Sequence, residues 1–208
     1  MVESLSDENW MPLEANPTVI NEFITKIGFE TIFYKFYDVI SIDEFSLAIL
    51  PQPVQALLFL YDETKVQREF RKKQKAELEA SGQYVDKDLF FMKQYAKNAC
   101  GTIAAFHSLI NMYNKTKSFI TKGSYLDKFI AETQSLTPEE RGKYFQKDDK
   151  LKETHKKAAA EGDSKPSEKA NAHFISFVQF NGHLYELDGG KFAPINHGEC
   201  KEEEFLFK

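Results

Sequence analysis

Apolar positions along the chain fall into distinct helical and strand periods. Val19, Ile20, Phe23, Ile24 and Ile27 recur at the spacing of one helix face; Asn16-Pro17 supplies an N-cap with proline at the first helical position, and Gly28 closes the run. Tyr34 to Ile42, rich in aromatic and β-branched residues, predicts a buried strand. Asp43 to Leu50 predicts a short helix before Pro51 and Pro53, and Val54 to Tyr61 is an apolar run of strand length. Asp62 to Gln83 is dense in charge and reads as a solvated helix face. From Cys100, the residues Ile103, Ala104, Phe106, Leu109 and Ile110 make a helix apolar nearly all round, which must be packed on more than one side. A helix is expected over Tyr125 to Thr133, and Thr137, Pro138 and Glu140 spell a capping box that starts another.

Two later segments have opposite character. Gln146 to Ala170 is Lys, Asp, Glu, Ser, Gly and Ala, with Leu151 its one large aliphatic residue, and predicts a mobile loop or lid. Ala172 to Phe180 and His183 to Leu187 alternate as strands around Asn181-Gly182, the strongest short-range hairpin signal. A two-residue turn pairs 180 with 183, 178 with 185 and 175 with 188. Glu199 to Lys208 is acidic and shows no closing element.

Length and composition narrow the class. The 208 residues, 42% hydrophobic, suffice for one sizeable core, so a single domain over 1–208 is expected. A net charge of −5 argues against nucleic-acid binding, which needs clustered cations. Two cysteines cannot build a disulfide framework, which points to free thiols in a reducing compartment. The acidic first residues and the lack of a long apolar run predict a soluble, cytoplasmic protein with no membrane partner.

Candidate chemistry centres on Cys100. At the start of a buried helix, the positive end of the helix dipole favours a thiolate there. The alternative is an inert buried thiol. Gly101 directly after it argues for close approach of another backbone or a substrate. A reactive cysteine needs a base. His107 shares its helix but sits about 10 Å along the axis. His155 lies in the polar stretch, and neither His183 nor His197 has an orienting carboxylate in a fixed pairing. His173 has one, because the hairpin register makes Asp188 its diagonal neighbour on the same face. Gln94, six residues before the cysteine, would join the Cys100 backbone N–H as a donor to a tetrahedral oxyanion. Cys200, in a charged tail, reads as a surface thiol.

These residues carry a resemblance. Trp10-Met11-Pro12-Leu13-Glu14-Ala15-Asn16-Pro17, Phe91-Met92-Lys93-Gln94, Asn98-Ala99-Cys100-Gly101-Thr102, His173-Phe174-Ile175, Leu184-Tyr185-Glu186-Leu187-Asp188-Gly189 and Pro194-Ile195-Asn196-His197-Gly198, in that order, are similar to the small, single-domain ubiquitin carboxyl-terminal hydrolases. The resemblance implies an α+β fold: a papain-like, largely antiparallel central sheet wrapped by helices, with a knotted backbone. It implies a monomeric thiol protease that takes small or unstructured adducts off ubiquitin, its partner, and needs no metal or organic cofactor. Cys100 is then the nucleophile, His173 the general base and acid, Asp188 the residue that orients it, and Gln94 the oxyanion stabiliser. The stretch 146–170 corresponds to an active-site crossover loop. After the Gly198 region the family continues through a helix and a last strand, whereas this chain ends at Lys208, so an unpaired sheet edge is expected. Two other readings stay open: a ubiquitin-binding module with impaired catalysis, and a hydrolase of a related ubiquitin-like modifier.

Overall fold

The structure, a computed structural model, describes residues 10–163 and 171–208. Its elements run α1 (Pro17–Lys26), α2 (Glu44–Ala48), β1 (Ala56–Asp62), α3 (Lys65–Ser81), α4 (Cys100–Asn111), α5 (Tyr113–Thr116), α6 (Tyr125–Thr133), α7 (Pro138–Gln146), α8 (Asp149–Ala160), β2 (Ala172–Phe180), β3 (His183–Leu187) and β4 (Ile195–Glu199), with a final 3-10 turn at Glu202–Phe207. Helix starts follow the side chains that cap them. Asn16 accepts from Thr18 N, Asp43 from Ser46 N and Ser124 from Asp127 N, while Thr137 and Glu140 close the expected capping box.

The four strands form one antiparallel sheet in the order β1-β2-β3-β4. The hairpin has the expected register, with Phe180 opposite His183, Val178 opposite Tyr185 and Ser176 opposite Leu187. Helix α4 lies across β2, tied to it by a buried 2.8 Å hydrogen bond between the Ser108 and Ser176 hydroxyls. Every residue of α4 from Cys100 to Ile110 is buried. On its far side Val19, Ile20, Phe23 and Ile24 of α1, Leu126, Phe129 and Ile130 of α6 and Phe145 of α7 complete the main core. Phe106 sits at its centre, edge-on to Phe129 at 4.8 Å and to Phe145 at 5.8 Å. Burying a phenylalanine contributes about 2–3 kcal/mol, so this sandwich is what fixes α4 and therefore Cys100.

Four expectations fail. Tyr34 to Ile42 forms no strand, and Ile40 and Ile42 are exposed. The backbone of Phe36 finds its partners in the Asn21 side chain, which accepts from Phe36 N at 2.8 Å and donates to Phe36 O at 2.9 Å, as a strand neighbour would. Within 146–170, Asp149–Ala160 is helix α8, not loop. Leu151, His155, Ala158 and Ala159 lie on one face, buried in the same core as α1. Two alanines and a histidine fill most of a close helix contact with Leu151 as its one large aliphatic, which composition alone did not reveal. Residues 164–170 of that stretch lie outside the described residues. The end of the chain, read as having no closing element, folds as the Glu202–Phe207 turn with Phe205 buried, while β4 pairs with β3 on one side and stands at an edge of the sheet among the described residues. Cys200 is likewise buried, covered by Leu184 and Phe205.

Candidate active site

The site forms where the N-terminus of α4 meets the open end of the β2–β3 hairpin. Asn98 adopts a left-handed turn at φ 64°, its amide donating to Trp10 O at 3.0 Å, and so swings the chain into α4. Ala99 caps that helix with no side-chain hydrogen bond, so the cap spends no acceptor on the first-turn N–H groups, among them those of Cys100 and Gly101. Gly101 has a packing reason: a Cβ there would meet Leu13 Cβ at 3.1 Å and Phe174 Cδ2 at 3.3 Å.

His173 enters from β2. Its Nε2 bonds Asp188 Oδ1 at 2.7 Å, so the diagonal pairing expected from the hairpin is present. Burial disfavours the imidazolium, yet Asp188 and the adjacent Cys100 thiol outweigh it and raise the His173 pKa to about 9. Asp188 has a fully buried side chain. Burial pushes its pKa up, but the hydrogen bond and charge of His173, the Arg71 guanidinium and the Gly190 N–H hold it below the ordinary carboxylate range. The arrangement favours an imidazolium at His173, charged against Asp188 on one side and facing the Cys100 sulfur on the other, so that the ring is the group that holds the proton.

Gln94 is held on the other flank. Its N–H donates to Gly189 O at 2.9 Å, next to Asp188, and Gly189 lacks the Cβ that would press on Gln94 Cβ at 3.0 Å. The Gln94 amide spends one N–H on Ala96 O at 3.1 Å, and its buried carbonyl oxygen has no hydrogen-bond partner among the described residues. The Lys93–Gln94 backbone is pinned by α7, through Lys93 N to Pro138 O at 3.0 Å.

A slot of about 40 Å³ opens over Cys100, walled by Pro12, Leu13, Leu60, Asn98, Ala172 and Phe174. A larger depression, about 460 Å³, lies at the Asn181-Gly182 turn. It is roughly 25 Å away along β2 at 3.3 Å per residue, and is separate from this chemistry.

The other histidines have different employment. His107 Nε2 accepts from Met92 N at 3.1 Å, and burial pushes its pKa down to about 4. His155, also lowered to about 4 by burial, bonds Thr102 Oγ1 at 2.6 Å and Met11 O at 2.5 Å, which ties α8 to both α4 and the slot wall. His183 meets Asn196 at the turn end. His197 does have a carboxylate, Glu186 at 3.0 Å, but that group also holds Lys191 at 2.5 Å rather than serving the thiol.

Sequence reasoning missed Arg71. Its Nη2 donates to Asp188 Oδ2 at 2.7 Å and to the Tyr61 hydroxyl at 2.5 Å, and its Nη1 to Glu63 at 2.6 Å. Nothing in the charge run of α3 marks it out; one arginine among its Lys and Arg neighbours carries no signal. Among the described residues, no cluster of His, Cys, Asp and Glu could hold a metal ion, and no helix is long and apolar enough to cross a membrane.

Known proteins resemble the chain throughout. The pattern described as "Ubiquitin carboxyl-terminal hydrolase, family 1" matches residues 10–208. Ubiquitin carboxyl-terminal hydrolase isozyme L1 of Sus scrofa is 41% identical over 195 residues, covering 94% of this chain and 85% of that protein. Ubiquitin carboxyl-terminal hydrolase 3 of Arabidopsis thaliana is 40% identical over 204 residues, covering 98% and 86%. In fold, the chain is similar to the Trichinella spiralis UCH37 catalytic domain, solved bound to ubiquitin vinyl methyl ester. That match has a TM-score of 0.71 at 22% identity and covers all of this chain and 87% of that one. With a family pattern spanning nearly its whole length and relatives this similar, the chain belongs to family 1 of the ubiquitin carboxyl-terminal hydrolases and is a cysteine peptidase.

Proposed function

We propose that residues 1–208 form one hydrolase domain that cleaves amide, ester or thioester adducts from the C-terminal glycine of ubiquitin through an acyl-enzyme on Cys100. The observation that carries this reading is the Cys100–His173–Asp188 alignment at an uncapped helix N-terminus. Because His173 Nε2 is committed to Asp188, Nδ1 is the nitrogen that takes the thiol proton. The thiolate attacks the glycine carbonyl, forming a C–S bond and an oxyanion. The Cys100 backbone N–H and the second N–H of the Gln94 amide donate to it. As the oxyanion collapses, the bond to the leaving group breaks and His173 returns the proton to that group. His173 then takes a proton from water, the hydroxide attacks the thioester, and ubiquitin leaves with a free carboxylate as sulfur recovers its proton.

The narrow slot supports an acyl residue without a side chain, as glycine is. The preference for small or unstructured adducts rests on the resemblance alone, which makes 146–170 a crossover loop that a leaving group must pass. The test is a ubiquitin probe with a C-terminal electrophile. Expected is one adduct, mapped by mass spectrometry to Cys100 and lost in Cys100→Ala; labelling confined to Cys200 would refute the assignment.

A further inference from the structure

Helix α3 has no buried residue, so apolar packing does not explain its place beside the hairpin. Its attachment is polar. Arg71 reaches Asp188, Tyr61 and Glu63, and one turn later Gln74 Oε1 accepts from Lys191 Nζ at 2.7 Å. The two oxygens of Asp188 are divided: Oδ1 takes His173 and the Gly190 N–H, and Oδ2 takes Arg71. A Cβ built on Gly190 would lie 3.7 Å from Arg71 Nη1 and 3.8 Å from His173 Cε1, so guanidinium and imidazole flank the same small gap.

We propose that Arg71 is a positioning residue of the active site: it fixes Asp188 Oδ2 and, by its charge, sets the pH range in which the Cys100–His173 ion pair exists. This rests on the Cys–His–Asp reading above. A carboxylate facing only an imidazole puts its whole charge on that ring and on the sulfur beyond it. Shared with a guanidinium, it holds the ring in place with less negative field. Removing the cation therefore stabilises imidazolium and disfavours thiolate, moving both titrations upward. Removing Glu63, which partly neutralises Arg71 on its other side, moves both downward. Other ionisable groups face this centre from every packed element: Tyr61 on β1, Lys93 before α4, Cys100 and His107 on α4, and Glu186 on β3. Beside Asp188, Arg71 touches Tyr61 of these and also Glu63, and Glu63, paired with Arg71 at 2.6 Å, can be altered away from the thiol.

The test compares the full chain with Arg71→Gln, Arg71→Lys and Glu63→Gln. The rate of Cys100 alkylation by iodoacetamide is followed from pH 5 to 10 by mass of the Cys100 peptide, alongside kcat/KM on a fluorogenic ubiquitin amide. R71Q should shift both apparent steps upward by about one pH unit, the lower end of what a neighbouring charge does, because Arg71 acts across a carboxylate. R71K, which keeps the charge, should restore the wild-type positions. E63Q should shift them down. An unmoved profile in both R71Q and E63Q would reduce Arg71 to an anchor for α3, and a downward shift in R71Q would mean that Asp188 had merely lost its hold; either overturns the proposal. Alkylation needs no ubiquitin, so absent turnover with a shifted alkylation profile would count against the substrate assignment alone.

Discussion

Gly142→Ala sets two energies of opposite sign against each other. In a helix interior, alanine is favoured over glycine by about 1 kcal/mol, so propensity says that α7 gains. The structure says otherwise. A Cβ on Gly142 would stand 2.1 Å from Lys93 O and 2.9 Å from both Lys93 C and Tyr95 Cε2. The first two are backbone atoms, which no rotamer change can move. Restoring ordinary contact requires α7 and the Lys93 strand of chain to separate by about 1 Å, which strains the 3.0 Å bond from Lys93 N to Pro138 O. Overpacking of this kind costs about 3 kcal/mol at its upper range. After the propensity gain the net loss is about 2 kcal/mol, or a fall of about 4–8 °C in melting temperature for a chain of this size. Because the displaced backbone leads directly into Gln94, kcat for a fluorogenic ubiquitin amide should fall more than KM rises. Scanning calorimetry and steady-state kinetics read the two effects. A melting temperature equal to or above that of the wild type would refute the close-approach argument.

Two further outcomes follow from buried charge. Lys191→Met removes the cation from Glu186, whose side chain is 10% exposed, and leaves it with His197 alone; urea denaturation should show a loss of about 3 kcal/mol, partly recovered in the Lys191→Met, Glu186→Gln double variant. His107 and His155 both have folded pKa values lowered to about 4 from 6.5, so the unfolded chain binds their protons first. Stability is then complete above pH 6.5 and is lost as pH falls toward 4, each histidine contributing a slope of about 1 kcal/mol per pH unit between pH 6 and 5. His155→Gln should roughly halve that histidine-dependent slope in urea titrations at the two pH values, and an unchanged slope would show that His155 does not titrate as a buried neutral ring.

Where local chemistry settles a residue's neighbours, the sequence was readable. Asn181-Gly182 fixes the hairpin register, and the register alone puts Asp188 diagonal to His173. Thr137 and Glu140 cap α7 as their spacing demands. What was not readable depends on partners far along the chain. The β-prone run at Tyr34–Ile42 lacks a strand to pair with, and the Asn21 amide takes its place at Phe36. Helix α8 is buried by Leu151, two alanines and a histidine against α1, and its apolar content falls short of what composition reads as a core element. Cys200 sits among charges in sequence but beneath Leu184 and Phe205 in space. Arg71 is one cation in a charged helix until Asp188, separated from it by 117 positions, comes into reach.

That separation bears on how the thiol acquires its reactivity. His173 and Asp188 are 15 positions apart across a tight turn, so their pairing costs little loop entropy and can form with the hairpin itself. Arg71 reaches the same carboxylate across 117 positions, and the N-terminus of α4 reaches the imidazole from outside the hairpin. The histidine–carboxylate pair is thus local to the hairpin, whereas the sulfur it faces is not. On the reading proposed above, reactivity at Cys100 is therefore a property of the tertiary fold: the thiol meets its base only through the packing of α4 on the sheet, and a chain without that packing would present an ordinary thiol to its surroundings.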